Sequence, residues 1–562
     1  MTGQSFSCFF EEKYFYITND TDSTGRLNEL EDQYFLYGHC FTDSDILKDQ
    51  ALTRSEFEYI RDNHDELSGL FVCVGVVDGN VELLVDPLVQ YPVFYVENDG
   101  AFAISNKLSE LSRDYYDKPN MKYLFDSLIY RAPLRGLTPV NSIKMIQFDD
   151  LQEGSHFKGD YGALKIYKTN LLFRKGISYE EALSTLADKI RNRASIIAKK
   201  FDYIECQLSG GLDCRMVASA FLDYDHVRYY SFGTDSQDRL CFESLSKKFN
   251  LKKADKIKFY GSGTHTAAYR VKMLDDLNGL KLHTYGGYMN YGQPVAPNGC
   301  RLTGYFGEYI GHKLPSANIS PADGSIVDAP HIDFLPKEAI KVAEEYSRPF
   351  WKYYSTPDRC GKSSRAINQL FYLNNRGPSH FGMNSVADNL HDSSFNVLYD
   401  PMAITVSELS GYSDYENKEG ATCLDLICKL GGVEFALFPY ENRRIPYYRN
   451  FDYVPEVNCF EKNVFDVQDV EAFKKERHAM PSLSGFDILR DSRKPTSSVE
   501  ILNDSSFDDF FDAYPKLSHL RKPQPHRPLQ IHQEILCNFL LADRFFAQKK
   551  GLELKSSQGD AR

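Results

Sequence analysis

Residues 203–215 read Tyr-Ile-Glu-Cys-Gln-Leu-Ser-Gly-Gly-Leu-Asp-Cys-Arg. An apolar-rich run of strand type at 203–208 enters Ser209-Gly210-Gly211-Leu212-Asp213, and the chain leaves on Met216-Val217-Ala218-Ser219-Ala220, a helix start. The glycines let the backbone turn tightly and approach a ligand without a Cβ in the way. Amide hydrogens of the turn and of the first helical residues converge on one spot, where the helix dipole also favours negative charge. Asp213 sets a carboxylate beside that anion, an arrangement that calls for a divalent cation between them. The stretch therefore predicts a site for the phosphates of a nucleotide with Mg2+. It is neither G-x-x-x-x-G-K followed by Ser or Thr nor G-x-G-x-x-G, so a P-loop and a dinucleotide fingerprint are both excluded here.

The surroundings alternate between strand and helix. Helical spacing of Ala182, Leu183, Leu186, Ile190, Ala194 and Ile197 predicts an amphipathic helix over 179–201. A helix from about Cys214 to Leu222, a strand at 227–232, a helix at 238–249 and a strand at 256–259 follow the loop. Such alternation predicts an α/β unit with a doubly wound parallel sheet, whose ligands bind beyond the carboxyl ends of the strands. Ser209 and Gly233 both lie at such ends. Leu208, Phe232 and Gly233 then either hold an adenine base through apolar contact and backbone groups or are plain core.

At 562 residues with 42% apolar side chains, the chain is expected to fold as two or three domains. Lys and Arg total 65 against 78 Asp and Glu, a net charge of −13. That balance disfavours nucleic acid as the main partner. No run of 18 uncharged apolar residues and no basic-then-apolar N-terminal signal are present, so neither a membrane partner nor export is expected. Twelve cysteines without a CxxC pair suggest a reducing cytoplasm. Residues 1–165 are rich in short β-type runs separated by turns such as Asp78-Gly79-Asn80. Residues 530–549 read as an amphipathic helix that packs on the body of the protein.

Ser209-Gly210-Gly211-Leu212-Asp213 resembles the pyrophosphate loop of the ATP pyrophosphatases. A second stretch, Leu302-Thr303-Gly304-Tyr305-Phe306-Gly307-Glu308-Tyr309-Ile310-Gly311, lies about 95 residues downstream. It resembles the signature S-G-x-G-x-D-E-x-F-G-G of asparagine synthetases and their relatives. Asp86-Pro87-Leu88-Val89-Gln90-Tyr91-Pro92-Val93-Phe94-Tyr95 is similar to the D-x-x-G-x-x-P-L-Y-Y stretch of their glutaminase-type domain. More weakly, Asn374-Asn375-Arg376-Gly377-Pro378, Val397-Leu398-Tyr399-Asp400-Pro401 and the run 432–444 resemble the segments that close the family's site. The likeness to the asparagine synthetase superfamily spans roughly residues 10–445.

The resemblance implies an N-terminal αββα sandwich of the Ntn-hydrolase type over 1–165, an adenylating domain over 175–450 and a C-terminal helical extension over 451–562. It implies ATP and Mg2+ as ligands, with Leu208, Ser209, Gly210, Gly211, Asp213, Cys214, Phe232, Gly233 and Gly304 around the nucleotide and Asp213 and Glu308 on the metal. Where relatives place a catalytic lysine, Arg443, Arg444 or Lys429 is the implied cation. The implied reaction adenylates a carboxylate with release of pyrophosphate, then joins the acyl group to an amine with release of AMP. Its partners are thus a small-molecule or peptide carboxylate and an amine, in the same molecule for relatives such as β-lactam synthetases and lasso-peptide cyclases. A homodimer is compatible with these features. Residue 2 is threonine where glutaminases of this class carry their nucleophilic cysteine, and Cys8 reads as a buried strand residue, so a glutaminase fold without glutaminase activity is expected. The loop ends in Cys214 where the family has Ser or Thr, exchanging a strong donor for a weak one. At a helix N-terminus the dipole lowers a thiol's pKa, which would make Cys214 oxidisable. Arg215 is expected to reach the pyrophosphate or to face solvent. The rival expectation is a scaffold that keeps the fold and has lost turnover.

Overall fold

The computed structural model describes residues 7–10, 14–18, 32–98, 101–130, 132–147, 164–167, 176–231, 236–254, 298–311, 372–389, 393–412, 420–438, 440, 497–524 and 527–559, with short pieces between 270 and 369. Two five-stranded sheets come first. One has the order β1 (Ser7–Phe10), β2 (Phe15–Thr18), β8 (Ala101–Ser105), β7 (Phe94–Asn98), β9 (Lys144–Met145); the other runs β10 (Leu164–Ile166), β6 (Asn80–Val85), β5 (Ser68–Val77), β3 (Tyr34–Phe41), β4 (Ile46–Leu52). All pairings are antiparallel except β10 on β6. β5 is apolar along nearly its whole length because both of its faces are covered. Val72 and Val74 face a core shared with Phe15 and Ile17 of the other sheet. Phe71 and Cys73 face Phe57 and Ile60 of α1 (Arg54–Asp62), a helix opened by a Thr53–Glu56 capping box. Asp78 and Gly79, at φ +50° and +74°, form the expected hairpin between β5 and β6, the positive angles being those of a primed turn. α2 (Leu108–Tyr115) and α3 (Met121–Tyr130) pack on the shared core, and this mixture of helices and sheets is compatible with an α/β fold.

The loop quoted above belongs to a four-stranded sheet ordered β12 (Val227–Tyr230), β11 (Tyr203–Gln207), β13 (Gly299–Leu302), β16 (Ser394–Phe395), parallel throughout. The antiparallel pair β14 (Asn318–Ile319) and β15 (Ile326–Asp328) stands apart. α4 (Tyr179–Lys200), capped by Ser178, lays Leu183, Leu186, Ile190 and Ile197 into a core with Ile204, Cys206 and Val217. α5 (Leu212–Ser219) and α6 (Ser236–Lys248) follow β11 and β12. The strand expected at 256–259 lies outside the described residues. β13, on the far side of β11, was not among the expected strands.

The C-terminal residues are helical at Ser497–Leu502, Asp508–Ala513 and Arg527–Gly559. The last helix buries Ile535, Phe539, Leu540, Phe545 and Phe546 in the core that holds Leu111, Tyr123 and Leu124 of α2 and α3. The expected C-terminal helix thus packs on the body of the protein, specifically on the first unit. The same core takes in Phe306, Tyr309, Tyr372, Phe381 and Tyr399, so the expected units are continuous in their packing. The boundaries expected near 165–175 and 450 fall at or beside residues outside the described ones. Among the described residues no helix is long and apolar enough to cross a membrane.

Candidate active site

β11 ends at Gln207, and the Leu208 amide donates to Tyr230 O at 2.7 Å. The Leu208 side chain is fully buried in the sheet's core, so its apolar surface is spent on packing rather than presented to a base. Ser209 Oγ accepts from the Gly211 amide at 3.1 Å, a side-chain turn that shapes the loop. Gly211, in extended conformation, precedes the first helical residue of α5, and Asp213 and Cys214 sit half-buried in the first turn. β11 pairs with β12 on one side and with β13 on the other. The crevice between β11 and β13 is therefore the switch point at which open parallel sheets bind ligands.

The second motif leaves β13 at that crevice. A Cβ built on Gly304 would stand 2.8 Å from Cys214 N and 2.9 Å from Asp213 C. One built on Gly307 would stand 2.6 Å from Asp213 Oδ1. Only glycine permits this approach, which lays the Gly304–Glu308 segment against the head of α5. The Asp213 carboxylate thereby meets Gly307, the neighbour of Glu308. Glu308, half-buried in the short helix Gly307–Gly311, accepts a hydrogen bond from Tyr372 Oη. Burial, and then the Glu308 carboxylate, push the Tyr372 phenol well up, so it stays a donor. Asp213 and Glu308, from segments distant in sequence, are the carboxylates that could hold a divalent cation beside the turn of amides, with glycines where a Cβ would crowd Asp213. Among the described residues no group of three or more His, Cys, Asp or Glu could hold a metal ion.

The remaining expected residues divide. Phe232, Gly233, Arg443 and Arg444 lie outside the described residues, and Cys8 lies on β1 with its side chain outside them. Lys429 is not brought to the loop. Its helix, Ala421–Gly431, starts beside Leu212 and ends beside Ser219, placing Lys429 at the far end of α5. There its ammonium pairs with Glu180 at 3.2 Å and donates to Ser184 Oγ at 3.2 Å. Arg215 neither reaches toward the loop nor faces solvent. It is fully buried, donates to Phe438 O and lies 3.7 Å from the centre of the Tyr440 ring. It thereby ties the segment that leads to Arg443 to the helix of the glycine loop.

Two residues escaped the sequence reading. Tyr305, inside the second motif, donates to Asp388 Oδ2 at 3.4 Å. Burial first, and then Asp388, hold its phenol well above the ordinary value. Its place between Gly304 and Glu308 was the available signal; Asp388 carries none, standing 83 residues away. A phenol hydrogen-bonded to a carboxylate can relay a proton.

No protein-family model matches the chain. A Methanocaldococcus jannaschii protein named "Putative asparagine synthetase (glutamine-hydrolyzing) 1" is 29% identical over 178 residues, covering 32% of this chain and 31% of that protein. The chain thus spans about a third of the length of the curated relative it matches. This distant, partial similarity supports a relation to the asparagine synthetases at most.

Proposed function

We propose that the chain is an ATP-dependent, AMP-forming amide synthetase that adenylates a substrate carboxylate and passes the acyl group to an amine. One observation carries the reading: the Asp213 carboxylate and the Gly304–Glu308 segment meet at the carboxyl ends of adjacent parallel strands, beside a glycine turn that opens a helix. Asp213 and Glu308 would hold Mg2+, which neutralises phosphate charge when bound. The amides of the turn and the α5 dipole orient the phosphates, leaving the α phosphorus open to the acid. Tyr372 fixes one Glu308 oxygen. Asp388 takes the proton that the amine loses as its nitrogen bonds to the acyl carbon, through Tyr305, which gives its own proton to Asp388 and receives the amine's. Arg443 or Arg444, continuing from the Phe438–Tyr440 stretch that Arg215 pins, is the proposed cation on the intermediate; Lys429, turned onto α4, is the weaker candidate.

The acid and the amine are small molecules or peptides, or two ends of one molecule, in specialised-metabolite, peptide or surface-glycan biosynthesis in the cytoplasm. The scaffold reading draws on the placement of Lys429 and on Cys214 replacing a hydroxyl. Exchange of labelled pyrophosphate into ATP across a panel of carboxylic acids separates the two. A synthetase exchanges with at least one acid and loses exchange on Asp213→Ala; a scaffold exchanges with none.

A further inference from the structure

Gln90 comes from the first unit and is fully buried, and both ends of its side-chain amide bond residues that flank the proposed metal carboxylate. Its Oε1 accepts from Tyr309 Oη at 2.8 Å, and Tyr309 follows Glu308 directly. Its Nε2 donates to Leu373 O at 3.0 Å, and Leu373 follows Tyr372, the donor to Glu308. A third bond, from Nε2 to Leu88 O at 2.7 Å, returns to its own segment. One amide thus grips both the helix that carries Glu308 and the segment Tyr372–Arg376 that orients it. That segment is wound as a π-helix, a form that concentrates at functional sites.

The backbone that aims Gln90 is itself forced. Val89, fully buried and β-branched, sits at φ +52°, where the resembling motif has glycine. Such a conformation persists only where the surroundings over-determine it. The surroundings here are the Asp86 carboxylate, which accepts from the amides of Leu88 at 3.2 Å, Gln90 at 3.1 Å and Tyr91 at 2.7 Å, and from Tyr399 Oη across the interface.

We propose that Gln90 is a positioning residue: through it the first unit sets Glu308 for Mg2+, so that this unit serves the synthetase site as a clamp. The inference rests on the ATP reading above for its consequence, but not for its mechanical part. Gln90→Met keeps volume and removes the side-chain bonds to Tyr309 and Leu373; Tyr309→Phe removes the first of them; Leu47→Ala, in the separate core behind β5, is a control for general destabilisation. In wild type and each variant, hydrogen exchange of 305–311 and 372–376 and the Mg2+ concentration giving half-maximal calorimetric ATP binding are measured. Expected is faster exchange in both segments and an about tenfold higher Mg2+ requirement for Gln90→Met, a smaller change for Tyr309→Phe, and neither for Leu47→Ala. Unchanged exchange in Gln90→Met, or an equal rise in Leu47→Ala, overturns the inference whatever ATP does. Exchange that rises as expected in a wild-type background that binds no Mg-ATP leaves the clamp standing and removes the ATP reading instead. If Gln90→Met fails to fold, Tyr309→Phe decides by the same two measurements.

Discussion

Tyr305 is the residue whose removal discriminates between the two half-reactions. Its phenol is held protonated by burial and by Asp388, and in the proposed reaction it would move a proton from the amine without a part in forming the adenylate. Tyr305→Phe should leave acid-dependent pyrophosphate exchange within about threefold of wild type while amide formation falls by about a hundredfold. Equal losses in both would place Tyr305 in nucleotide binding. At the same scale, His39 is buried where β3 meets the edge strand β16, edge-on to Phe395 at 5.2 Å, and among the described residues neither ring nitrogen has a hydrogen-bond partner. Burial, and then the Lys48 ammonium, hold its imidazole down to about 3 from 6.5. The folded chain therefore disfavours the proton. Its neutral form costs nothing above about pH 6.5, and stability is lost as pH falls from there toward about 3. His39→Phe should lose less of its urea midpoint than wild type between pH 7.5 and 4.5; parallel losses would remove His39 as a source of acid sensitivity.

Between elements, two cations near α5 have opposite fates. Lys429 makes a part-exposed ion pair with Glu180, so Lys429→Ala should change stability by no more than about 0.5 kcal/mol and leave exchange intact. Arg215 is enclosed and bonded to Phe438 O over Tyr440, so Arg215→Ala should cost about 2–4 kcal/mol and reduce exchange by freeing the segment that leads to Arg443. Thermal melts and exchange rates on both variants check this, and a silent Arg215→Ala would contradict it. The strand, turn and helix of 203–219 were legible because their signals are local: a β-type run, two glycines and an apolar helix start. β13 was not, since a four-residue strand takes its meaning from parallel pairing with β11 almost a hundred residues earlier. Nor was the inward turn of Arg215, whose acceptor lies 223 residues away. A charged side chain after a binding loop carries no local mark of which way it points.

Across the molecule, the first unit, the loop-bearing sheet and the C-terminal helix depend on one another. Ile535, Phe539, Leu540, Phe545 and Phe546 leave water in a core shared with α2 and α3 of the first unit and with Ile501 and Leu502. Their burial contributes on the order of 10 kcal/mol, comparable with the whole stability of a domain. Removing 497–562 should therefore yield an aggregating chain in sedimentation, whereas a soluble, cooperatively melting product would show the helix to be dispensable. The amphipathic pattern of 530–549 made its packing legible, while the surface it covers was not, because apolar periodicity marks a buried face without naming its partner. The central claim concerns the crevice between β11 and β13, where amides of the Ser209–Cys214 turn and the carboxylates Asp213 and Glu308 would receive Mg-ATP. Titration calorimetry of ATP in saturating Mg2+, on wild type and on Asp213→Ala, tests it directly. Saturable one-site binding by wild type that weakens by at least about tenfold in the variant is expected; no heat in wild type, or equal affinity in both, would contradict it.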